Sequence, residues 1–282
     1  MDKNKKRNRA SQPELTDYQR SQLRLWNTVA VMTVLLFALV AYLGYLLLMQ
    51  PPEVTLGGKP VSQIELDAQR LPTPTDEAGT ELVMVNWLIP WYQENNDLAG
   101  WLRIDGTKID EPVVYTPENE KQYLRKNFNG KFSMGGTLIL GAVCSIAPES
   151  DNLIIYGHNM RNGTMFRDLM NYRQESYWQE HPVIEYATLY EERQYEIVAA
   201  FYDVIYDKNA KVFKFYQFAN YETEAEFADA MAYFKSKSEY DTGVEPVFGD
   251  RLLTLVTCSY HTTDGRFVVL ARQIPEESAD GA

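Results

Sequence analysis

The sequence contains few of the residues that bind metals. Its 282 residues include two cysteines and three histidines. They form no Cys-x-x-Cys or His-x-x-x-His pair, whereas structural zinc sites usually need four ligands and catalytic zinc sites three. No cluster of carboxylates with the spacing of a calcium loop is recognisable either. We therefore expect no metal and no other cofactor.

Negative charge outnumbers positive charge beyond the N-terminal segment. The chain has 27 Lys and Arg against 39 Asp and Glu, a formal net charge of −12. Because an acidic body repels phosphate backbones, this balance argues against nucleic acid as a partner. Seven basic residues precede Asn27: Lys3, Lys5, Lys6, Arg7, Arg9, Arg20 and Arg24.

Charge of either sign is absent from Leu25 to Pro52, and Thr28–Met49 is almost entirely apolar. About 20 such residues in a helix cross a hydrocarbon core of about 30 Å. The flanking charges place the N-terminus in the cytoplasm and the rest of the chain outside the cell. The alternative is a cleaved signal peptide, but its apolar run is usually about 7–15 residues and is followed by a small-x-small site, which is missing here.

These features predict five segments. Residues 1–27 are a basic cytoplasmic tail, 28–50 a single transmembrane helix, and 51–80 a Pro- and Gly-rich stalk. Residues 81–275 form one catalytic domain, and 276–282 a short C-terminal tail. With 45% hydrophobic and 23% charged residues, the composition is typical of a globular protein.

The domain itself is predicted to be mainly β. An amphipathic helical segment, interrupted or bent at Pro90, leads into it. Two helical inserts are expected, near Phe166–Trp178 and at Thr223–Lys237, where apolar residues recur at helical spacing. Eight runs rich in β-branched and aromatic residues indicate a barrel or sandwich: Trp101–Ile104, Pro112–Tyr115, Thr137–Leu140, Asn152–Tyr156, Val183–Thr188, Gln194–Tyr206, Arg251–Thr257 and Arg266–Ile274.

Cys258 is the candidate nucleophile because it ends an apolar strand and precedes a polar loop, where a thiol is both held and accessible. The alternatives are a buried small hydrophobe or a disulfide with Cys144, which an external compartment permits. An antiparallel return through the seven-residue loop Ser259–Gly265 would place Arg266 beside Cys258, where it could favour the thiolate or an oxyanion. The alternative for Arg266 is a solvated arginine on an edge strand.

His158 is the candidate general acid, since it follows an apolar strand and Gly157 at what would be a barrel rim. His261 lies three residues after Cys258 and remains a competitor. We favour His158 because catalytic pairs are usually adjacent in space rather than in sequence. His181, before Pro182 at the end of a helical stretch, is interpreted as a capping or surface residue.

Three motifs together resemble the sortase family. Thr254–Cys258 (TLVTC) matches its Thr-Leu-x-Thr-Cys signature, Tyr156–Met160 (YGHNM) resembles its histidine motif, and Gly265–Val269 (GRFVV) its arginine strand. They occur in the family's order, and the resemblance runs from about Glu81 to Ile274. The YGHNM wording and the amphipathic segment Thr223–Lys237 are similar to class B sortases.

The resemblance implies an eight-stranded sortase β-barrel and a two-step transpeptidation. Cys258 would attack the Thr carbonyl of a C-terminal sorting signal and form an acyl-enzyme, which an amine then resolves. His158 would protonate the leaving amine, and Arg266 would hold the oxyanion or the substrate backbone. No orienting Asn or Asp can be assigned. Leu124, Thr257 and Ser259 would contribute to substrate binding, although an ordinary core leucine is the alternative for Leu124.

The implied partners are secreted proteins with a Pro-x-Thr-type signal and the amine of a lipid-linked peptidoglycan precursor in a Gram-positive wall. A pilin lysine is the alternative acceptor, and water would make the enzyme a thiol endopeptidase. The rival from another class is a non-catalytic extracellular binding or adhesin module. The implied location is the cell membrane, with the catalytic domain outside.

Overall fold

The computed structural model describes residues 25–26, 28–29, 32–40, 42, 55–56, 59–60 and 81–275. Contacts divide the chain into two compact units, 1–55 and 56–282. In the first unit the described residues 25–26, 28–29, 32–40 and 42 are helical. Among the described residues, no helix is long and apolar enough to cross a membrane. Nearly all of the predicted tail 1–27, the tail 276–282, most of the stalk and part of the predicted span 28–50 lie outside the described residues.

Eight strands of the second unit close into a barrel, as the sequence predicts. Around the barrel the strand order is β8-β6-β5-β1-β2-β3-β4-β7, with parallel neighbours at β2/β3 and β4/β7. Two-residue strands also occur at Thr55–Leu56 and Lys59–Pro60. The barrel strands are β1 (Leu98–Arg103), β2 (Asp110–Val114), β3 (Leu138–Leu140), β4 (Asn152–Gly157), β5 (Val183–Thr188), β6 (Glu192–Val204), β7 (Leu252–Cys258) and β8 (Gly265–Gln273).

Strands β4 and β7 are buried along nearly their whole length. Parallel strands covered on both faces are rich in consecutive apolar residues, which explains the runs NLIIYG and LLTLVTC. The buried polar side chain of Asn152 is satisfied, since it donates to the Phe218 carbonyl at 2.7 Å and accepts from the Thr254 hydroxyl at 2.9 Å. These two strands are therefore a rigid support for whatever lies at their carboxyl ends.

The segment before the barrel is helical, but Pro90 does not bend a helix. A 3₁₀ turn at Asn86–Leu88 is followed by α1 (Ile89–Glu94), so Pro90 lies in the first turn of α1. Proline is tolerated there because that backbone position has no intrahelical acceptor. The first insert contains a 3₁₀ segment, Asp168–Arg173, and α2 (Glu175–Glu180), with His181 at the C-cap as predicted.

The second insert contains α3 (Glu224–Lys237). Thr223 caps it by accepting a hydrogen bond from the Glu226 amide at 3.2 Å. Acidic residues in the first turn and lysines in the last turn complement the helix dipole. The buried residues recur at helical spacing and pack α3 against β6: Phe227, Ala230, Met231 and Phe234.

Candidate active site

Cys258 and Arg266 are held side by side by the β7–β8 ladder. Cys258 is the last residue of β7, Arg266 the second of β8, and the two are direct cross-strand partners. The connecting loop is closed by a hydrogen bond from the Ser259 amide to the Gly265 carbonyl at 2.9 Å. The predicted antiparallel return is confirmed, and both side chains are half-buried rather than fully exposed.

His158 reaches the same end of the barrel through the parallel β4–β7 ladder. Gly157 pairs in register with Thr257, so the next residues along the two strands are His158 and Cys258. Gly157 is required here because an added Cβ would approach the side chains of Leu138 and Phe166 to 2.6 Å. Parallel pairing of two strand ends thus brings a histidine and a thiol together from distant parts of the sequence.

The three candidate residues line one groove with a volume of about 470 Å³. Its lining is mainly apolar. Glu120 and Lys121 add charged groups at the same groove. Around Cys258, His158 and Arg266 the principal lining residues are Leu124, Ile139, Tyr156, Ile205, Tyr216 and Val256.

The His158 ring is oriented by a backbone carbonyl. Its Nε2 lies 3.0 Å from the carbonyl oxygen of Leu124. A carbonyl can only accept, so Nε2 carries the hydrogen in this contact, which leaves Nδ1 to exchange a proton. The sequence indicates no Asn or Asp for this role, and a backbone carbonyl cannot be recognised from a pattern of side chains.

Asn159 braces the strand end that carries Cys258. Its side-chain amide donates to the Cys258 carbonyl at 2.9 Å, and its Oδ1 accepts from Arg167 at 3.2 Å. Asn159 is 8% exposed. Asn159 directly follows His158 in the sequence, and this adjacency is the one feature that could have drawn attention to it. The hydrogen bond to the Cys258 carbonyl is not predictable from the sequence.

The Arg266 guanidinium donates to the adjacent Gly265 carbonyl at 2.9 Å, and this contact fixes its direction at the start of β8. Its charge also acts on Tyr156, another residue of the groove. Burial raises the pKa of the Tyr156 phenol far above its usual range, Glu120 raises it further, and Arg266 lowers it. The positive charge of Arg266 therefore favours the ionised form of a side chain that lines the groove.

The three predicted substrate-binding residues differ in placement. Leu124 lines the groove and is 37% exposed. Thr257 also borders the groove, but it is 1% exposed and its hydroxyl donates to the Gly157 carbonyl at 2.8 Å. Ser259 is buried, and its hydroxyl contacts Nδ1 of His261 at 2.9 Å. Ser259 and His261 are not among the residues that line the groove.

Cys144 is a different kind of thiol. Both cysteines are free, so no disulfide joins them. Cys144 is 3% exposed, and its sulfur accepts from the Ile154 amide at 3.3 Å. Burial raises the pKa of this thiol to about 11, which keeps it protonated and unreactive near neutral pH. Among the described residues, no group of three or more His, Cys, Asp and Glu is arranged to hold a metal ion.

Comparison with known proteins finds related sequences and folds. The sortase domain family model matches residues 102–274. Sortase B of Staphylococcus aureus is 28% identical over 182 residues, which cover 64% of this chain and 71% of the relative. Sortase B of Listeria monocytogenes is 29% identical over 182 residues, with the same coverage of 64% and 71%.

The fold is shared with solved sortases. Clostridium perfringens sortase B superposes with a TM-score of 0.59 and 26% identity, covering 66% of this chain and 98% of that one. A sortase B solved in complex with triglycine superposes with a TM-score of 0.58 and 26% identity, covering 66% of this chain and 84% of that one.

Proposed function

The chain belongs to the sortase family and is class B-like, and on that premise we propose that it joins secreted proteins to a cell-wall amine through an acyl-enzyme on Cys258. The observation that carries the proposal is the convergence of Cys258, His158 and Arg266 on one groove. Each comes from a different strand end, and each is held there by backbone contacts.

Cys258 is the nucleophile of the proposed reaction. Its thiolate attacks the carbonyl carbon of the Thr in a Pro-x-Thr-type sorting signal and forms a tetrahedral intermediate. Collapse of this intermediate breaks the peptide bond, leaves a thioester and releases the downstream peptide as an amine. Cys144 is excluded from this role by its burial and its raised pKa.

His158 transfers the protons. As an imidazolium it protonates the leaving amine, and the neutral ring then accepts a proton from the incoming amine as that amine attacks the thioester. The carbonyl of Leu124 holds Nε2 throughout, so Nδ1 is the nitrogen that exchanges the proton. Breakage of the thioester C–S bond releases Cys258 as a thiolate, so the cycle ends with the thiolate and the protonated histidine from which it began.

Arg266 stabilises the negative charge that develops on the Thr carbonyl oxygen, or holds the substrate backbone. Its place directly across the ladder from Cys258 supports this role. A fixed donor aimed at a developing oxyanion is typically worth about 10²–10³-fold in kcat.

For the acceptor we propose the amine of a lipid-linked peptidoglycan precursor, with a pilin lysine as the alternative. The related sortase B crystallised with triglycine supports a short glycine-type amine. For the donor, the largely apolar groove suits a signal with few charges. We further propose that 28–50 anchors the chain in the membrane with the barrel outside, on the evidence of its uncharged sequence and basic flank.

The test uses the purified full-length chain with quenched peptides that carry Asn-Pro-x-Thr or Leu-Pro-x-Thr signals, with and without triglycine. Cys258→Ala and Cys144→Ala are the matched pair of variants. We expect cleavage by wild type and Cys144→Ala, none by Cys258→Ala, and a triglycine-ligated product by mass spectrometry.

Other outcomes decide between the alternatives. Cleavage without ligation to triglycine or to a lysine peptide would leave a thiol endopeptidase. A reduced, folded protein that cleaves no signal, or cleavage that persists in Cys258→Ala, would count against the proposal and favour a binding module. For the anchor, protease added to intact cells should degrade the barrel but spare the first 27 residues.

A further inference from the structure

A buried carboxylate lies just outside the groove, where the mechanism does not use it. Asp203, near the end of β6, is 3% exposed. Its Oδ1 accepts from the Val204 amide at 2.8 Å, the Tyr206 hydroxyl at 2.9 Å and the Lys237 ammonium at 3.0 Å. Its Oδ2 accepts from the Tyr233 hydroxyl. A buried charge is tolerated only when it is paired and hydrogen-bonded, and here four donors meet one carboxylate.

Two of these donors belong to the inserted helix. Tyr233 and Lys237 are four residues apart on α3, so they project from the same helix face. The ammonium of Lys237 also lies over the Tyr233 ring, 4.9 Å from its centroid. Asp203 therefore joins the last turns of α3 to the end of β6.

Tyr206, whose hydroxyl donates to Asp203, joins the carboxylate to the groove. Ile205 and Tyr216 both line it. The Ile205 amide donates to the Asp264 carbonyl at 3.0 Å, and the Tyr216 hydroxyl donates to the Tyr206 carbonyl at 3.1 Å. Tyr206 thus accepts from one groove residue through its backbone while its own hydroxyl is held by Asp203.

The strand register places this cluster in line with the candidate catalytic residues. Arg266 pairs with Cys258 on one side and with Asp203 on the other. Residues directly opposite on neighbouring antiparallel strands project to the same face of the sheet. No hydrogen bond joins Asp203 to Arg266, whose guanidinium is directed to Gly265. An effect of Asp203 on the groove would therefore pass through Ile205 and Tyr216, which line it, and not through Arg266.

We propose that Asp203 is a positioning residue for substrate: it ties α3 to Tyr206 and so fixes Ile205 and Tyr216 as one wall of the groove. This inference rests on the proposed function, since the groove is taken to hold the sorting signal. Loosening the wall weakens binding of the signal and leaves the chemistry at Cys258 intact.

The experiment compares Asp203→Asn and Tyr206→Phe in the full-length chain. Tyr206→Phe removes one hydroxyl and keeps the ring and the backbone carbonyl, so it also serves if Asp203→Asn does not fold. The control is Tyr172→Phe, which loses a hydrogen bond from a buried tyrosine to the His181 carbonyl at 2.8 Å, away from the groove. We expect KM for the signal peptide to rise by about five-fold in both test variants, with kcat changed less than about two-fold, and neither constant to change in the control.

A second measurement does not depend on turnover. Hydrogen exchange of the Ile205 amide and of residues 213–217 should become faster by about ten-fold in Tyr206→Phe and stay unchanged in Tyr172→Phe. An unchanged KM and unchanged exchange in both test variants would overturn the inference, as would equal effects in the control. A wild-type chain that cleaves no signal would remove the proposed function, while the exchange rates would still decide whether Asp203 fixes this wall.

Discussion

Arg266 stands directly across the β7–β8 ladder from Cys258, at the mouth of the loop that joins the two strands. The pairing is a property of the backbone, so the arginine reaches the thiol without a long or adaptable loop. Because β7 pairs with β4 along one edge and with β8 along the other, the thiol at its end has fixed neighbours in both directions.

Replacing Arg266 should lower kcat more than it raises KM. We expect Arg266→Ala to lose about 10²–10³-fold in kcat, because the oxyanion loses a fixed donor. Arg266→Lys should recover only part of it, since an ammonium lacks the planar fork of donors. Arg272→Ala is the control on the same strand: it breaks an ion pair with Glu196 at 2.7 Å and should leave kcat unchanged. Steady-state kinetics with a quenched signal peptide gives kcat and KM for each variant. Equal losses of kcat in Arg266→Ala and Arg272→Ala would contradict this prediction.

The Leu124 carbonyl can be displaced without touching the histidine. Gly136 has φ of +63°, and a Cβ there would come within 2.7 Å of the Tyr123 and Leu124 carbonyl oxygens. Gly130 has a similar φ of +74° but open space around it. Both alanine variants should lose about 1–2 kcal/mol of unfolding free energy from the left-handed backbone. Only Gly136→Ala should also lose activity, by about ten-fold, because the His158 ring is misdirected.

The control for that prediction is internal. Denaturation midpoints report the total loss of stability in each variant, which in Gly136→Ala includes the clash with the two carbonyl oxygens. The value of kcat with the signal peptide reports the orientation of His158. If Gly130→Ala lost as much activity as Gly136→Ala at equal stability, the carbonyl contact would not be what orients the ring.

The two thiols should differ in their reaction with iodoacetamide. Cys258 is half-buried at the groove, whereas Cys144 is 3% exposed. In the native protein we expect one label per chain, at Cys258, and a second only in denaturant. Peptide mapping by mass spectrometry identifies the labelled residue, and Cys258→Ser should show no label in the native state. Rapid native labelling of Cys144 would be inconsistent with its burial.

Cys144 should make the fold less stable at high pH. Burial raises its pKa from 9.0 to about 11, so between these values the unfolded chain loses a proton that the folded chain keeps. The stabilisation due to the neutral thiol is complete below pH 9 and is lost as pH rises toward 11, by about 1–3 kcal/mol. Urea denaturation gives the free energy of unfolding of wild type and of Cys144→Ala at pH 8 and pH 10.5. Relative to Cys144→Ala, the wild type should be less stable at pH 10.5 than at pH 8. An identical difference at both pH values would contradict it.

The strands and helices were predictable because their signals are local. The apolar run before Cys258, the run before His158 and the helical spacing from Phe227 to Phe234 each report burial of one element. The sequence predicts a break at Pro90, one residue after α1 begins, because proline is as compatible with a first helical turn as with a bend.

The contacts that orient the site were not predictable from residue types. His158 contacts a backbone carbonyl, and Asn159 donates to another, at Cys258. A main-chain oxygen is present at every position, so only the path of the chain selects Leu124 and Cys258 for these roles. The alternation of side chains along a strand likewise directs the Thr257 hydroxyl to the Gly157 carbonyl.

The parallel ladder between β4 and β7 joins Gly157 to Thr257, 100 residues further along the chain. Such non-local pairing forms slowly, because the intervening chain must first be ordered. A nascent polypeptide that has emerged only as far as β6 contains His158 but neither Cys258 nor Arg266. If these three residues act as proposed, the chain cannot react with a sorting signal during translation, and it becomes active only when synthesis of the barrel is nearly complete.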